Sequence, residues 1–455
     1  MKLNMTWAEL ARASQGKLLR GEPEALVDVI STDTRRLPAG AAFWALKGAR
    51  YDAHDLLSEE LARGASGWIV ERGRIKAGLS LPRHLVEVPD TLKAIQDLAE
   101  SHRRRFDIPV VGITGSNGKT TVKEMLAGVC RRSGATCATP GNWNNQLGVP
   151  LSVLELTREH RYGVFELADS HPGDIAEVAR VARPNLAVLT NIGPDHLEFY
   201  GSLEVNFRTK SELVESLPQD GKVILNADDP WLSGLESKLG ARAVTFGMSP
   251  RARVRFSGNE EMLIDGRKLT VRLKAFGAIS RCNAAAAAAA AWALGIDLET
   301  IRLGLEAHRP AAMRLELLRH ESGCEIVLDA YNANPASMRA SIEGFCERYK
   351  SEGKVLALGD MKELGSASRR FHFELGEWLG ERSLEALYLA GPEMKAAHEA
   401  LTSGGTGFPV FYAPTPEPWL EGFRREFAPG RAVFLKASRA MRFESLLEGL
   451  PCSTI

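Results

Sequence analysis

Four short runs between residues 110 and 226 are almost wholly apolar: "VVGIT" (110–114), "YGVFE" (162–166), "LAVLT" (186–190) and "KVILN" (222–226). Strands read this way when both of their faces are covered, as in parallel sheets. Helical stretches alternate with them, which is the pattern of an α/β unit. The alternation returns after Arg309-Pro310 in "EIVLD" (325–329), "KVLALGD" (354–360), "EALYLAG" (385–391) and "AVFLKAS" (432–438). The sequence therefore predicts two parallel α/β units with a cleft between them. Ligands of open α/β sheets sit at the carboxyl ends of strands. Here those ends carry Ser116-Asn117, Glu166, Asn191, and Asn226 with Asp228-Asp229.

The preceding hundred residues read as a smaller α/β unit. "AAFWAL" (41–46) and "GWIV" (67–70) are strand-like, and a helix is expected over 54–63. "TLKAIQDLAESHRRRF" (91–106) has helical spacing and leads into the next unit. Asp107-Ile108-Pro109 marks a boundary, since proline disfavours helix in the residue before it. At 455 residues the chain has room for about three domains. The limits expected are 1–107, 108–309 and 310–455.

Fifty-seven basic and fifty-seven acidic residues leave no net charge, so no nucleic-acid partner is suggested. The run Arg103-Arg104-Arg105 reads as a solvated helix end. Six scattered cysteines, none in C-x-x-C spacing, argue against a zinc site and a disulfide framework and fit a reducing compartment. The first residues lack the apolar core of a signal peptide. The alanine run 284–291 is too short and too weakly hydrophobic to span a membrane and reads as a close-packed helix. A soluble, cytoplasmic protein is expected.

The first strand runs into "TGSNGKTTVKEM" (114–125). The pattern G-x-x-x-x-G-K-[ST] does not fit, because Ile113 occupies its first position. Even so, Gly115 and Gly118 bracket Ser116 and Asn117, and Lys119, Thr120 and Thr121 open an amphipathic helix. A strand, a glycine turn and a helix start aim backbone N–H groups and a dipole at an anion. Lys119 would neutralise phosphate oxygens and Thr120 would reach Mg²⁺. Thr114 is a secondary candidate for holding the loop's shape. Glu166 ends a buried strand, where a carboxylate needs a metal or a hydrogen-bonded partner. His196 follows a Gly-Pro turn in "IGPDHLEFYGS" (192–202). Lys210 has, on pattern alone, the look of an exposed helix lysine. "DAYNANPASM" (329–338) could be a structural turn, or could offer its amides to a ribose, a phosphate or a peptide. "GDMKELG" (359–365) and "LKASRAMR" (435–442) are further loops after strands.

Taken together, these motifs resemble the Mur ligase family over nearly the whole chain. "STDTRRLPAG" and "AFWALKGARYDAHDL" resemble its N-terminal UDP-binding domain, and "TGSNGKTTVKEM" its ATP loop with the shorter G-x-x-G-K-T spacing. "GNWNNQLGVPLSVL" and "LTNIGPDHLEFYGS" are similar to central-domain motifs. "LDAYNANPASMRASIE", "LALGDMKELG" and "VFLKASRAMRFE" are similar to C-terminal ones. The Tyr-Asn-Ala-Asn-Pro and Gly-Asp-Met-x-Glu-Leu-Gly runs favour the member that adds D-alanyl-D-alanine, and the Asp-Asn-Pro-Arg motif of the sibling adding the third amino acid is absent.

The resemblance implies three domains: a small N-terminal α/β UDP-binding domain, a central P-loop parallel-sheet ATPase domain and a C-terminal Rossmann-like α/β domain. It implies an ATP-dependent ligase that joins D-alanyl-D-alanine to a UDP-N-acetylmuramoyl-tripeptide through an acyl phosphate, with two Mg²⁺ ions. By the same resemblance Lys119 and Thr120 hold phosphates and the first Mg²⁺, and Glu166 and His196 hold metal. Lys210 would be the family's carbamylated lysine, supporting the second Mg²⁺. Asn283 would contact adenine, Asp329 and Asn332 the ribose side, and Arg314 the nucleotide. Asn142, Asn145 and Asn334 would face substrate, with Lys436, Ser438 and Arg439 on the C-terminal wall. Asp33, Arg35, Lys47 and Gly48 would lie near the uridine diphosphate. The implied partners are these small molecules, with no nucleic acid and no membrane span, and a monomer is expected.

The chain departs from the family pattern at Cys282 (usually histidine), Ala286 (asparagine), Ala437 (glycine), Met313 (often glycine) and Ala168-Asp169 (glycine and a neutral residue). Two other readings compete. A folylpolyglutamate synthase-like ligase usually has Gly-Lys-Gly-Ser in its loop, and it leaves the N-terminal motif unexplained. An inactive nucleotide-binding scaffold is opposed by the intact Lys119, Glu166, His196 and Lys210.

Overall fold

The computed structural model describes residues 1–48, 51–195 and 197–455. Three sheets of six, nine and seven strands follow one another along the chain. In the first, Leu26–Ser31, Ala42–Trp44, Gly67–Glu71 and His84–Val88 pair in parallel, and Lys2–Thr6 and Lys17–Arg20 close its edges antiparallel. The helix expected over 54–63 is broken. A 3₁₀ turn, Ala53–Leu56, is capped by Asp52, and a separate helix, Glu59–Gly64, is capped by Ser58. Each side-chain oxygen accepts from an N–H of its own first turn, so two short caps replace one continuous helix.

The helix Thr91–Arg103 leads out of this unit. Arg103, expected in solvent, is buried instead. Its guanidinium donates to the carbonyls of Phe106 (2.5 Å), Ala182 (3.0 Å) and Ile108 (3.3 Å). The bend between the units leaves the Phe106 and Ile108 carbonyls, and the end of the helix Asp174–Ala182 the Ala182 carbonyl, without strand or helix partners, and one planar fork satisfies all three. One apolar core passes unbroken from the first unit into the second, from Leu3, Trp44 and Ile95 to Leu154 and Leu189.

The nine-stranded sheet has Val110–Thr114 between Leu186–Leu189 and Tyr162–Glu166, all parallel. The chain reverses its strand order there, the usual place for a ligand crevice. The four apolar runs thus lie side by side in the middle of the sheet. Strands that do not stand out in the sequence (Val254–Phe256, Glu261–Ile264 and Arg267–Thr270) extend one edge, the last two antiparallel. Half-polar edge strands bury one face only and lack the continuous apolar signature. Residues 284–291 are all buried within the helix Gly277–Ala293. Their small side chains let that helix lie close against the helix Lys119–Ser133.

In the third sheet Val410–Ala413, Ala386–Ala390, Gly353–Gly359, Arg431–Lys436 and Glu325–Leu328 pair in parallel, with Glu316–His320 and Cys452–Thr454 added antiparallel. Among the described residues no helix is long and apolar enough to cross a membrane.

His372 is fully buried behind the 359–365 loop. Its Nε2 accepts from the Met361 N–H (3.0 Å), and its Nδ1 faces the Ser368 carbonyl (2.8 Å). That arrangement fixes a neutral ring, and burial holds its pKa below 6.5 despite the opposing Ser368 carbonyl, Asp360 and Glu393. A folded-state pKa below the unfolded one means that the unfolded chain takes up more protons below pH 6.5. Stability is therefore expected to fall as pH drops below 6.5, and His372→Gln to flatten that slope in urea titrations across this range. An unchanged slope in the variant counts against the assignment.

Candidate active site

A glycine turn builds the centre of the site. Gly115 (φ +138°) and Gly118 (φ +85°) take backbone angles that other residues rarely adopt. Gly118 also abuts the Asn283 side-chain amide, so a Cβ there would displace that amide. The loop is held from the neighbouring strand end. Asn191 Oδ1 accepts from Asn117 N–H (2.9 Å), Asn191 Nδ2 donates to Asn117 O (3.0 Å), and Thr190 Oγ1 donates to the same carbonyl (2.6 Å). Ser116 is buried, donating to Asp195 Oδ1 (2.5 Å) and accepting from Gly193 N–H (2.8 Å). Thr114 lies beneath the loop with its hydroxyl buried and unpartnered. Its carbonyl accepts from Thr190 N–H (3.0 Å). Thr121 lines the cleft beside Thr120.

The Lys119 ammonium folds onto the Gly115 carbonyl (2.5 Å). Burial of that end, with Lys210 adding, holds its pKa below the usual lysine range, while Asp195, Asp169 and Glu166 oppose the shift. A polyanion entering the loop would restore the charged form, which suits a phosphate-binding lysine.

A cleft of about 410 Å³ opens between the glycine loop and the C-terminal unit. Glu166 forms one wall at the end of its strand and is 1 % exposed. Asn144 donates to its Oε1 (2.7 Å), while its Oε2 is buried without a partner. An orphan carboxylate oxygen in a cleft, with the Thr120 hydroxyl on the same lining, is a hard-donor set that fits Mg²⁺. No three histidine, cysteine or acidic side chains form a ready-made metal cage among the described residues. His196 lies outside the described residues.

The facing wall belongs to the C-terminal unit. Asp329 accepts from Lys436 Nζ (2.6 Å) and Ser341 Oγ (2.9 Å), and Lys436 also donates to Asn332 O (3.0 Å). Two contacts tie the walls together. Asn334 Nδ2 donates to Asn117 Oδ1 (2.7 Å), and Arg314, stacked 3.9 Å from the Tyr331 ring centre, donates to Thr120 Oγ1 (3.1 Å). Met313 takes φ +60°, a left-handed angle, which accounts physically for the glycine often found at this position in the family pattern. Cys282 is no nucleophile: burial pushes its thiol up to about 12.

Not every candidate lies in the cleft. Asn142 and Asn145 line it, but the Asn145 carboxamide accepts from Leu147 and Gly148 N–H (3.2 and 2.9 Å) where the following helix begins. Ser438 is buried, accepting from Lys362 N–H (2.9 Å), and Arg439 is paired with Glu444 (2.5 Å) outside the cleft lining. Asp33, Arg35, Lys47 and Gly48 are on the N-terminal unit, away from this lining. Asp33 caps its own turn and takes Arg35 bidentately (2.9 Å each), which holds its carboxyl down at about 2. Asn191, Asn226 and Asp228-Asp229 support loops and do not line the cleft.

Lys210 is buried and not exposed as its pattern suggests. It is paired with Asp169 at 3.0 Å and lies 3.5 Å from Asp195. Sequence reasoning misses Asn144, Thr190 and the pairing of Asp169. Only the departure at Ala168-Asp169 gives a signal for any of them.

A parallel sheet with a glycine phosphate loop at its switch point, facing a second α/β unit across a polar cleft, defines a nucleotide-dependent enzyme with a second substrate wall. The family model "Mur ligase middle domain" matches residues 113–291, and "Mur ligase, glutamate ligase domain" matches 313–439. The chain is 35% identical over 417 residues to the UDP-N-acetylmuramoyl-tripeptide–D-alanyl-D-alanine ligase of Escherichia coli (strain K12), covering 89% of each. It is 32% identical over 461 residues to the protein of that name from Bacillus subtilis (strain 168), covering 98% of each. A crystal structure of MurF from Acinetobacter baumannii superposes with a TM-score of 0.89 at 33% identity, over 98% of this chain and 99% of that one. MurF ligase from Thermotoga maritima in complex with ADP gives 0.80 at 30% identity, over 93% and 96%. The chain belongs to the Mur ligase family.

The left-handed angle at Gly118, together with the Asn283 amide beside it, makes a side chain there costly. Gly118→Ala is expected to weaken binding of a fluorescent ATP analogue by about 10-fold or more, given roughly 1–2 kcal/mol for the backbone alone. Unchanged affinity would mean that the loop does not hold the nucleotide.

Proposed function

We propose that this chain is the cytoplasmic, monomeric ligase that joins D-alanyl-D-alanine to a UDP-N-acetylmuramoyl-tripeptide with cleavage of ATP. The observation that carries it is one cleft with a phosphate loop and an orphan Glu166 oxygen on one wall and the Asp329–Lys436 pair on the other. Relatives bearing that ligase name match nearly the full length.

A carboxylate is a poor electrophile until one oxygen becomes a leaving group. In this reading the tripeptide's terminal carboxylate attacks the γ-phosphorus of ATP, and ADP leaves. The dipeptide amine then attacks the acyl carbon of the acyl phosphate, loses a proton, and expels phosphate. Catalysis is mostly positioning and charge neutralisation. Lys119 and the N–H groups of residues 118–121 cradle the phosphates, those of Ser116 and Asn117 being taken by Asn191. Asn283, Arg314, Asp329 and Asn332 hold the nucleoside end, and Asn142, Asn334 and Lys436 serve the substrate side, while Asn145, Ser438 and Arg439, committed to contacts within the chain, shape the walls behind them. Thr120, Glu166 and His196 would hold Mg²⁺, which supplies charge neutralisation on the phosphate oxygens. Residues 1–107, with Asp33, Arg35, Lys47 and Gly48, take the uridine diphosphate, 108–309 the ATP, and 310–455 the dipeptide.

Phosphate release from ATP with UDP-N-acetylmuramoyl-tripeptide tests this reading. D-alanyl-D-alanine is expected to stimulate release, whereas single amino acids, or glutamate with folate, do not. Glu166→Gln is expected to lower the rate by about 100-fold with the fold intact by circular dichroism. Silence with every acceptor would instead support a nucleotide-binding scaffold.

A further inference from the structure

Asp169 stands on the cleft wall, and Lys210 stands behind it. Asp169 lines the cleft near Glu166, while Lys210 is fully buried and is not part of the lining. The Lys210 ammonium donates to both Asp169 oxygens, at 3.2 and 3.0 Å. The Tyr200 hydroxyl donates to Asp169 Oδ2 at 2.6 Å, and its ring centre lies 5.4 Å from the same ammonium. On its other side Lys210 approaches Asp195 at 3.5 Å. A cation and a phenol thus hold the Asp169 carboxylate at the edge of the cleft, with its side chain 1 % exposed.

The carbamate expected on Lys210 does not fit this arrangement. Its formation joins the amine nitrogen to the carbon of CO₂, one C=O electron pair moves to oxygen, and two protons leave the starting ammonium. The group passes from +1 to −1. Here the change would remove the cation shared by Asp169 and Asp195 and set a third anion against both. Like charges at such separations, out of water, repel strongly. The sequence change that creates the pair is Asp169 itself, where the family pattern has a neutral residue.

We propose that Lys210 remains an unmodified ammonium in this protein, and that Asp169 supplies from the chain itself the carboxylate that a carbamate would otherwise bring. Lys210 is then a positioning residue acting through Asp169. The inference builds on the ligase reading of the cleft, but its first test needs no turnover.

The full chain, equilibrated with ¹³C-labelled bicarbonate, is expected to show no protein-bound carbamate signal by carbon NMR. A wild-type signal that disappears in Lys210→Arg overturns the proposal, whatever the activity. In the phosphate-release assay Lys210→Ala is expected to lose about 10–100-fold. Short alkylammonium ions should restore part of that loss, and acetate or formate should not. Rescue by carboxylates and not by amines overturns the proposal. If the variant fails to fold, the labelled-bicarbonate spectrum of the wild type decides alone. A wild type that releases no phosphate with any acceptor defeats the ligase reading, and the spectrum still decides the state of Lys210.

Discussion

The Asn191 side-chain amide grips both peptide groups of Asn117, one as acceptor and one as donor, and Thr190 adds a third bond to the same carbonyl. Glycine turns are easily bent and as easily unbent, so a loop built on Gly115 and Gly118 needs an outside clamp. The clamp comes from the end of the adjacent parallel strand, Leu186–Leu189. It can act only because the two strands run in the same direction and finish together. The direction of the loop, the seating of Lys119 and the approach of Asn283 all follow from it. The further wall is then registered on the same residue, through the bond from Asn334 to Asn117.

The electrostatics of the cleft are arranged in depth. Glu166, with one oxygen unpartnered, and Asp169, held by Lys210 and Tyr200, border the cleft while nearly fully buried. Lys119 and Lys210 lie among these carboxylates and keep the region from accumulating unbalanced negative charge before a nucleotide arrives. Buried charges persist only when they are paired or hydrogen-bonded. A lone unsatisfied carboxylate oxygen at Glu166 is therefore costly in the protein by itself, and a cation brought in with the phosphates would relieve that cost.

Much of the fold is legible in the sequence because its central strands are covered on both faces, which leaves an unmistakable apolar signature. The edge strands, such as Glu261–Ile264 and Cys452–Thr454, bury one face or less and leave no such mark. Arg103 misleads for a related reason. A basic run at a helix end nearly always meets water, and nothing local announces the orphan carbonyls of Ala182 and Ile108 that bury this one. At the site, Asn145 and Asp33 have the pattern of ligand-facing residues, yet both commit side-chain oxygens to their own turns. Local capping competes with ligand contact, and pattern alone does not say which prevails.

By itself the sequence determined the parallel α/β architecture and the phosphate loop, with Lys119 and Thr120 at a helix start. All of these depend on residues adjacent in the chain, where strand, turn and helix geometry fix what the side chains can reach. Only the tertiary structure decided the surroundings of Lys210. Its partner Asp169 lies 41 residues away in sequence, on a loop brought up by a different strand. A lysine reads alike in any helix. Whether it is a solvated surface charge, a modified base or the hidden support of a carboxylate depends on which groups the fold packs against it.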